Sequence, residues 1–124
     1  ILGMGNEYAN DEYLKELEEA GCDVSGAMNR FMGRADLYKK FLGKFLDDRS
    51  YTELLKCIED HKIEDAFMHA HTLKGVAGNL GIDNLLKELI PVVEALRAGK
   101  EPEPEQVLAC VREYEVVAGV IGRH

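Results

Sequence analysis

The stretch Ala70-His71-Thr72-Leu73-Lys74-Gly75-Val76-Ala77-Gly78-Asn79-Leu80-Gly81 brings together the residues of this chain best suited to chemistry. It sits in an apolar pattern of helical spacing: Ile63, Ala66, Phe67, Ala70, Leu73, Ala77 and Leu80. That spacing predicts a helix from about Lys62 to Leu80. Gly75 and Gly78 fall inside it, where each costs roughly 1 kcal/mol relative to alanine. An interior glycine of this kind has a packing or functional reason. With Ile63 at 0° and about 100° per residue, His71 falls at about 80°, on the shoulder of an apolar stripe centred near about 330°. Lys74 (about 20°), Gly78 (about 60°) and Gly75 (about 120°) flank it on the C-terminal side. The glycines remove bulk beside the ring, and Lys74 at i+3 brings an ammonium to the same neighbourhood.

An imidazole in cleared space beside a cation suits nucleophilic attack. Neutral histidine is a good nucleophile near neutral pH, the ordinary imidazole pKa being about 6.5. The missing bulk lets a second protein bring an electrophile in line with a ring nitrogen. Lysine can then hold phosphoryl oxygens as charge builds on them.

Other candidates are weaker. His69 lies about 160° from His71 round the helix, so the two cannot share one small site. Asp65 and His69 at i, i+4 supply two metal ligands with no third, and no acidic cluster near His71 holds Mg²⁺; no metal site is expected. Asn79 points to solvent, Gly81 is a helix C-cap, His61 a turn residue and His124 a frayed end. Met28, Phe31 and Met32 read as core, part of which can form an apolar patch for a partner helix. Cys22, Cys57 and Cys110 are odd in number and far apart, which predicts free thiols in a reducing cytoplasm rather than disulfides.

His71-Thr72-Leu73-Lys74-Gly75, followed by Ala77, Gly78, Leu80 and Gly81, resembles the signature of histidine-containing phosphotransfer (HPt) domains. The approach from Gly21-Cys22-Asp23-Val24 through Leu37-Tyr38-Lys39-Lys40-Phe41-Leu42 resembles the same family, so the likeness covers most of residues 10–120. It implies that His71 is the phosphoacceptor of a multistep phosphorelay. A phosphoryl group would pass between His71 and the aspartates of receiver domains. Lys74 would stabilise that group, and Gly75 and Gly78 would give the partner clearance. The implied partners are a response-regulator receiver domain, a hybrid histidine kinase, or both. The receiver supplies the Mg²⁺, so this chain needs no cofactor of its own. The sequence departs from the family where many members carry a polar residue that orients the histidine ring. Here the facing positions, Ile90 to Val93, are apolar or Pro91, which leaves the ring's second nitrogen unassigned. Arg97, one turn beyond Val93, is a candidate second cation.

The elements that must position His71 are all helical. A helix from Asn10 to Ala20, capped by Asn10, carries Tyr13, Leu14 and Leu17. Asp23 caps a short helix carrying Val24, Ala27, Met28 and Phe31, which ends at Gly33. Leu37, Tyr38, Phe41, Leu42, Phe45, Leu46, Leu54, Leu55 and Ile58 then predict one long helix from about Ala35 to Glu59, with a break near Arg49 as the alternative. After the His71 helix, Asp83 caps a helix carrying Leu85, Leu86, Leu89, Val92, Val93 and Leu96. Pro91 should kink or split it. The last helix starts at the Pro102/Pro104 hinge and carries Val107, Leu108, Val111, Tyr114, Val117 and Ile121. Short connections between long amphipathic helices predict an all-α fold, an antiparallel up-down four-helix bundle with short N-terminal accessory helices. Residues 10–121 form the single domain. Residues 1–9 read as a vector remnant and flexible N-terminus, and 122–124 as the C-terminal end.

The bulk numbers agree. One domain's worth of chain, 124 residues at 46% hydrophobic and 31% charged, buries a core without a disulfide or metal staple. A net charge of −8 argues against nucleic acid. No apolar run is long enough for membrane insertion. An autophosphorylating kinase would need a glycine-rich ATP-binding domain that these helices do not contain, so a phosphoryl carrier rather than an enzyme is expected, and a monomer. The rival of another class is a non-catalytic helical adaptor that docks receiver or kinase domains, and it has no use for His71 or Lys74.

Overall fold

The computed structural model describes residues 10–124; the reading of residues 1–9 lies outside them. The regular structure of the described residues is all helix, with no strand: α1 (Glu12–Glu19), α2 (Val24–Arg30), α3 (Ala35–Asp47), α4 (Ser50–Glu59), α5 (Ile63–Asn79), α6 (Asp83–Arg97) and α7 (Pro104–Arg123). α5 packs against α4 on one side and α6 on the other, α6 against α7, and α7 against α3 and α1.

The expected long helix is two. Asp48 leaves the helix in an extended conformation (φ −72°, ψ 128°), and its Oδ1 accepts the Ser50 N–H at 2.7 Å. The side chain thus takes a donor at the start of α4 that the continuing helix would have bonded, the usual way aspartate competes with helix. Two caps also shift by one residue. Asp11, not Asn10, caps α1 by accepting the Leu14 N–H, and Ile82, not Asp83, is the N-cap of α6. Asp23 caps α2 as expected, accepting the Gly26 N–H. Pro91 does not split α6, which runs unbroken through it.

The core follows the apolar periodicity, except that Met32, expected in it, is exposed, because it lies past the end of α2 at a left-handed φ of +57°. Ala66, Ala70, Leu73, Ala77 and Leu80 of the α5 segment are buried, as are Leu85, Leu89, Val92, Val93 and Leu96 of α6. The alanines carry nothing beyond Cβ, which lets α4 and α6 approach α5 closely. Leu108 departs from expectation and is exposed, because it lies about 100° round the helix from Val107, off the stripe that Val117 and Ile121 bury. His124 is not frayed: its ring stacks on Tyr13 at 4.5 Å.

Three contacts anchor the C-terminal end of α5. The Arg30 guanidinium donates to the carbonyl oxygens of Asn79 (2.9 Å) and Gly78 (3.0 Å) in the last turn of the helix, where carbonyls lack the i+4 amide partner. Tyr38, fully buried, donates its hydroxyl to the Leu80 carbonyl at 2.8 Å. Burial pushes its phenol well above the ordinary range, so it remains a neutral donor. Gly81 has φ +70°, and a Cβ there would stand 2.6 Å from the Asp23 carbonyl oxygen. Glycine is required at that point both by conformation and by the approach of α2.

Candidate functional site

His71 lies in the middle of α5 and is exposed. It stands on the rim of a groove of about 560 Å³ between α3 and α5. Phe41 and Phe45 of α3 and Val76 and Leu80 of the α5 segment make its apolar walls; Lys44, Asp48, Thr72 and Asn79 add polar groups. The Lys44 ammonium is held over the Phe41 ring, 5.2 Å from its centroid.

Gly75 lines the same groove, and a Cβ added there would meet nothing within 4 Å. The cleared space expected beside His71 is therefore present at Gly75. Gly78 does not line this groove. A Cβ there would touch Leu86 of α6 at 3.9 Å, and its carbonyl is one of the two that Arg30 caps. Lys74 is half-buried and makes no hydrogen bond or ion pair among the described residues.

The His71 ring makes no hydrogen bond among the described residues. Val92 and Val93 of α6 are buried and Ile90 is exposed, so that stretch offers no polar group to the ring. Its neighbour is Phe67, one turn earlier on α5, with ring centroids 5.8 Å apart and planes 27° apart. Arg97 lies over the Phe67 ring, its Cζ 5.1 Å from the centroid, and its Nε is 3.3 Å from Glu94.

The remaining candidates are spread through the fold. His61, in the turn before α5 with φ +57°, pairs through Nδ1 with Glu101 in the α6–α7 connection. That carboxylate, by hydrogen bond and charge, holds the His61 pKa above its ordinary value. Cys22, Cys57 and Cys110 are buried and free. Burial pushes Cys22 and Cys110 up to about 12, so neither is a thiolate nucleophile at neutral pH. Among the described residues no three His, Cys, Asp or Glu side chains converge as a metal ion requires, and no helix is long and apolar enough to cross a membrane.

Several residues of this site carry no local sequence signal. Phe41, Lys44, Phe45 and Asp48 come to His71 from another helix, and only packing reveals them. Arg30 reaches across to α5 from a residue far away in the chain. Phe67 was legible: at i−4 it is the nearest ring on the His71 side of its helix. No protein-family model, curated protein or solved structure matches the chain.

Proposed function

We propose that this chain is a histidine phosphotransfer domain, a carrier that accepts a phosphoryl group on His71 from a receiver aspartate and passes it on. The observation that carries the reading is the exposed His71 imidazole on the rim of an apolar groove, with open space one turn away at Gly75. A nucleophile meant for another protein's active site must protrude, and the backbone beside it must be bare enough for that protein to close on it. Transfer needs the reacting atoms within roughly 3.5 Å.

In the step itself, a lone pair on a ring nitrogen of His71 attacks phosphorus. The N–P bond forms as the acyl-phosphate O–P bond breaks, and the receiver aspartate leaves as carboxylate. The proton on the other ring nitrogen can pass to solvent, and return runs the same bonds backwards. The phosphoryl oxygens carry the developing charge, so the useful groups here are cations. Lys74 stands one turn along α5, and Lys44 sits on the groove wall. The receiver brings its own Mg²⁺. The apolar walls at Phe41, Phe45 and Val76 suit a helix of that partner.

The packing order α4–α5–α6–α7, with α3 against α7, fits an antiparallel four-helix bundle in which α3 and α4 form one arm, and α1 and α2 are accessory. A monomer in the cytoplasm completes the reading. The test is incubation with a receiver phosphorylated on its aspartate, then mass spectrometry of this chain. Gain of one phosphoryl group supports the proposal, and no gain while the receiver loses its own only by hydrolysis contradicts it.

A further inference from the structure

A nucleophilic imidazole must present one nitrogen along a fixed line, and something must set the ring's torsion angle. A hydrogen bond to the second nitrogen is the common device, but among the described residues His71 has none. Two observations point to a different one. Phe67 and His71 are at i and i+4 on α5, and helical side chains lean towards the N-terminus, so the imidazole lies back towards Phe67. The two rings are 5.8 Å apart at 27°, within the range of offset stacking. On the Phe67 ring rests Arg97 of α6, at 5.1 Å, close enough for a cation–π contact. Arg97 is itself steadied by Glu94 one turn earlier on α6.

We propose that Phe67 is the positioning residue of the His71 imidazole, with Arg97 holding it in place from the neighbouring helix. Phe67 is partly buried and packs against the core, so its ring is a fixed surface rather than a mobile one. Stacking restricts the ring's torsion while leaving both nitrogens free of protein partners, one to attack and one to lose its proton to solvent. The apolar α6 stretch at Ile90 to Val93 is then no defect, because orientation comes from α5 itself. This inference rests on the phosphotransfer reading for its kinetic consequence but not for its geometry.

The test compares Phe67→Tyr, Phe67→Leu and Arg97→Met with wild type by two readouts. The first is the NMR shift of the His71 ring protons, which feel an aromatic face directly. The second is the rate of His71 labelling by phosphoramidate, a small donor that needs no docked protein. Phe67→Tyr should keep both. Phe67→Leu should move the ring-proton shifts towards those of a free imidazole and slow labelling about ten-fold, since small misplacements of reacting atoms are costly. Arg97→Met, an exposed change that leaves the fold intact, should move both the same way by a smaller amount. Unchanged shifts and an unchanged rate in Phe67→Leu overturn the proposal, as does failure of Tyr to rescue. If Phe67→Leu does not fold, unchanged shifts in Arg97→Met overturn it. If wild type itself is not labelled, the phosphotransfer reading fails, while the NMR shifts still decide whether Phe67 holds the ring.

Discussion

His71 and Gly75 stand one turn apart on α5 and line the same groove, and a Cβ on Gly75 would meet no atom within 4 Å. The space is open to solvent and not filled by a neighbouring helix, so packing does not account for the glycine. Gly75→Ala should raise stability by up to about 1 kcal/mol, because alanine is the better helix former, and a thermal melt reads this directly. Gly75→Gln should fold yet take phosphate from a receiver far more slowly, with phosphoramidate labelling less affected. Gly78→Gln is the contrast: its Cβ would make only an ordinary contact with Leu86 at 3.9 Å and the residue does not line the groove, so it should fold equally well and its receiver transfer should fall less. Equal transfer rates in Gly75→Gln and wild type would detach the groove from docking.

The end of α5 should be stiffly held. Gly81→Ala meets both a left-handed φ and the Asp23 carbonyl, and should cost more than about 1 kcal/mol by chemical denaturation. Gly33, also at positive φ but with open space around it, should lose less on the same change.

Tyr38→Phe removes the hydroxyl that bonds the Leu80 carbonyl and nothing else. A buried hydrogen bond of this kind contributes about 1 kcal/mol net, and the loss should appear as a lower denaturation midpoint at constant slope. No change would mean that water replaces the hydroxyl at that carbonyl.

Much of this architecture was readable beforehand, for physical reasons that differ by residue. The α5 and α6 cores follow from apolar spacing because one face of each helix must be covered, and Leu73 and Leu89 could go nowhere else. The break at Asp48 could not be fixed, since Phe45 and Leu54 keep an apolar period across it while a single side-chain hydrogen bond ends the helix. The His71–Gly75 side of the site was visible because both residues share one helix. Gly75 and Gly78 look alike in the sequence, and only the position of α3 decides that Gly75 lines the groove and Gly78 does not. The opposite wall, Phe41 to Asp48, depends on how α3 sits against α5, which no local pattern encodes.

The His61–Glu101 pair ties the turn before α5 to the α6–α7 connection. Glu101 raises the folded-state pKa of His61, so the pair's contribution is full below the ordinary histidine value of about 6.5 and is lost as pH rises through the higher folded-state value. Glu101→Gln, which leaves the strained His61 backbone untouched, should therefore lower the melting temperature more at about pH 5.5 than at about pH 8.5. An equal drop at both would show that the pair's charge plays no part. The effect should shrink in high salt, because both side chains are exposed.

If one imidazole carries the phosphoryl group, receiver-dependent labelling of His71→Gln and His69→Gln beside wild type, with the modified residue located by mass spectrometry, identifies it. His71 is exposed, so its replacement should change stability by no more than about 0.5 kcal/mol, and a melt confirms that the fold is intact. Label is expected on His71 in wild type and in His69→Gln, and none in His71→Gln. Label that persists in His71→Gln, or that maps to His69, would contradict the assignment to His71.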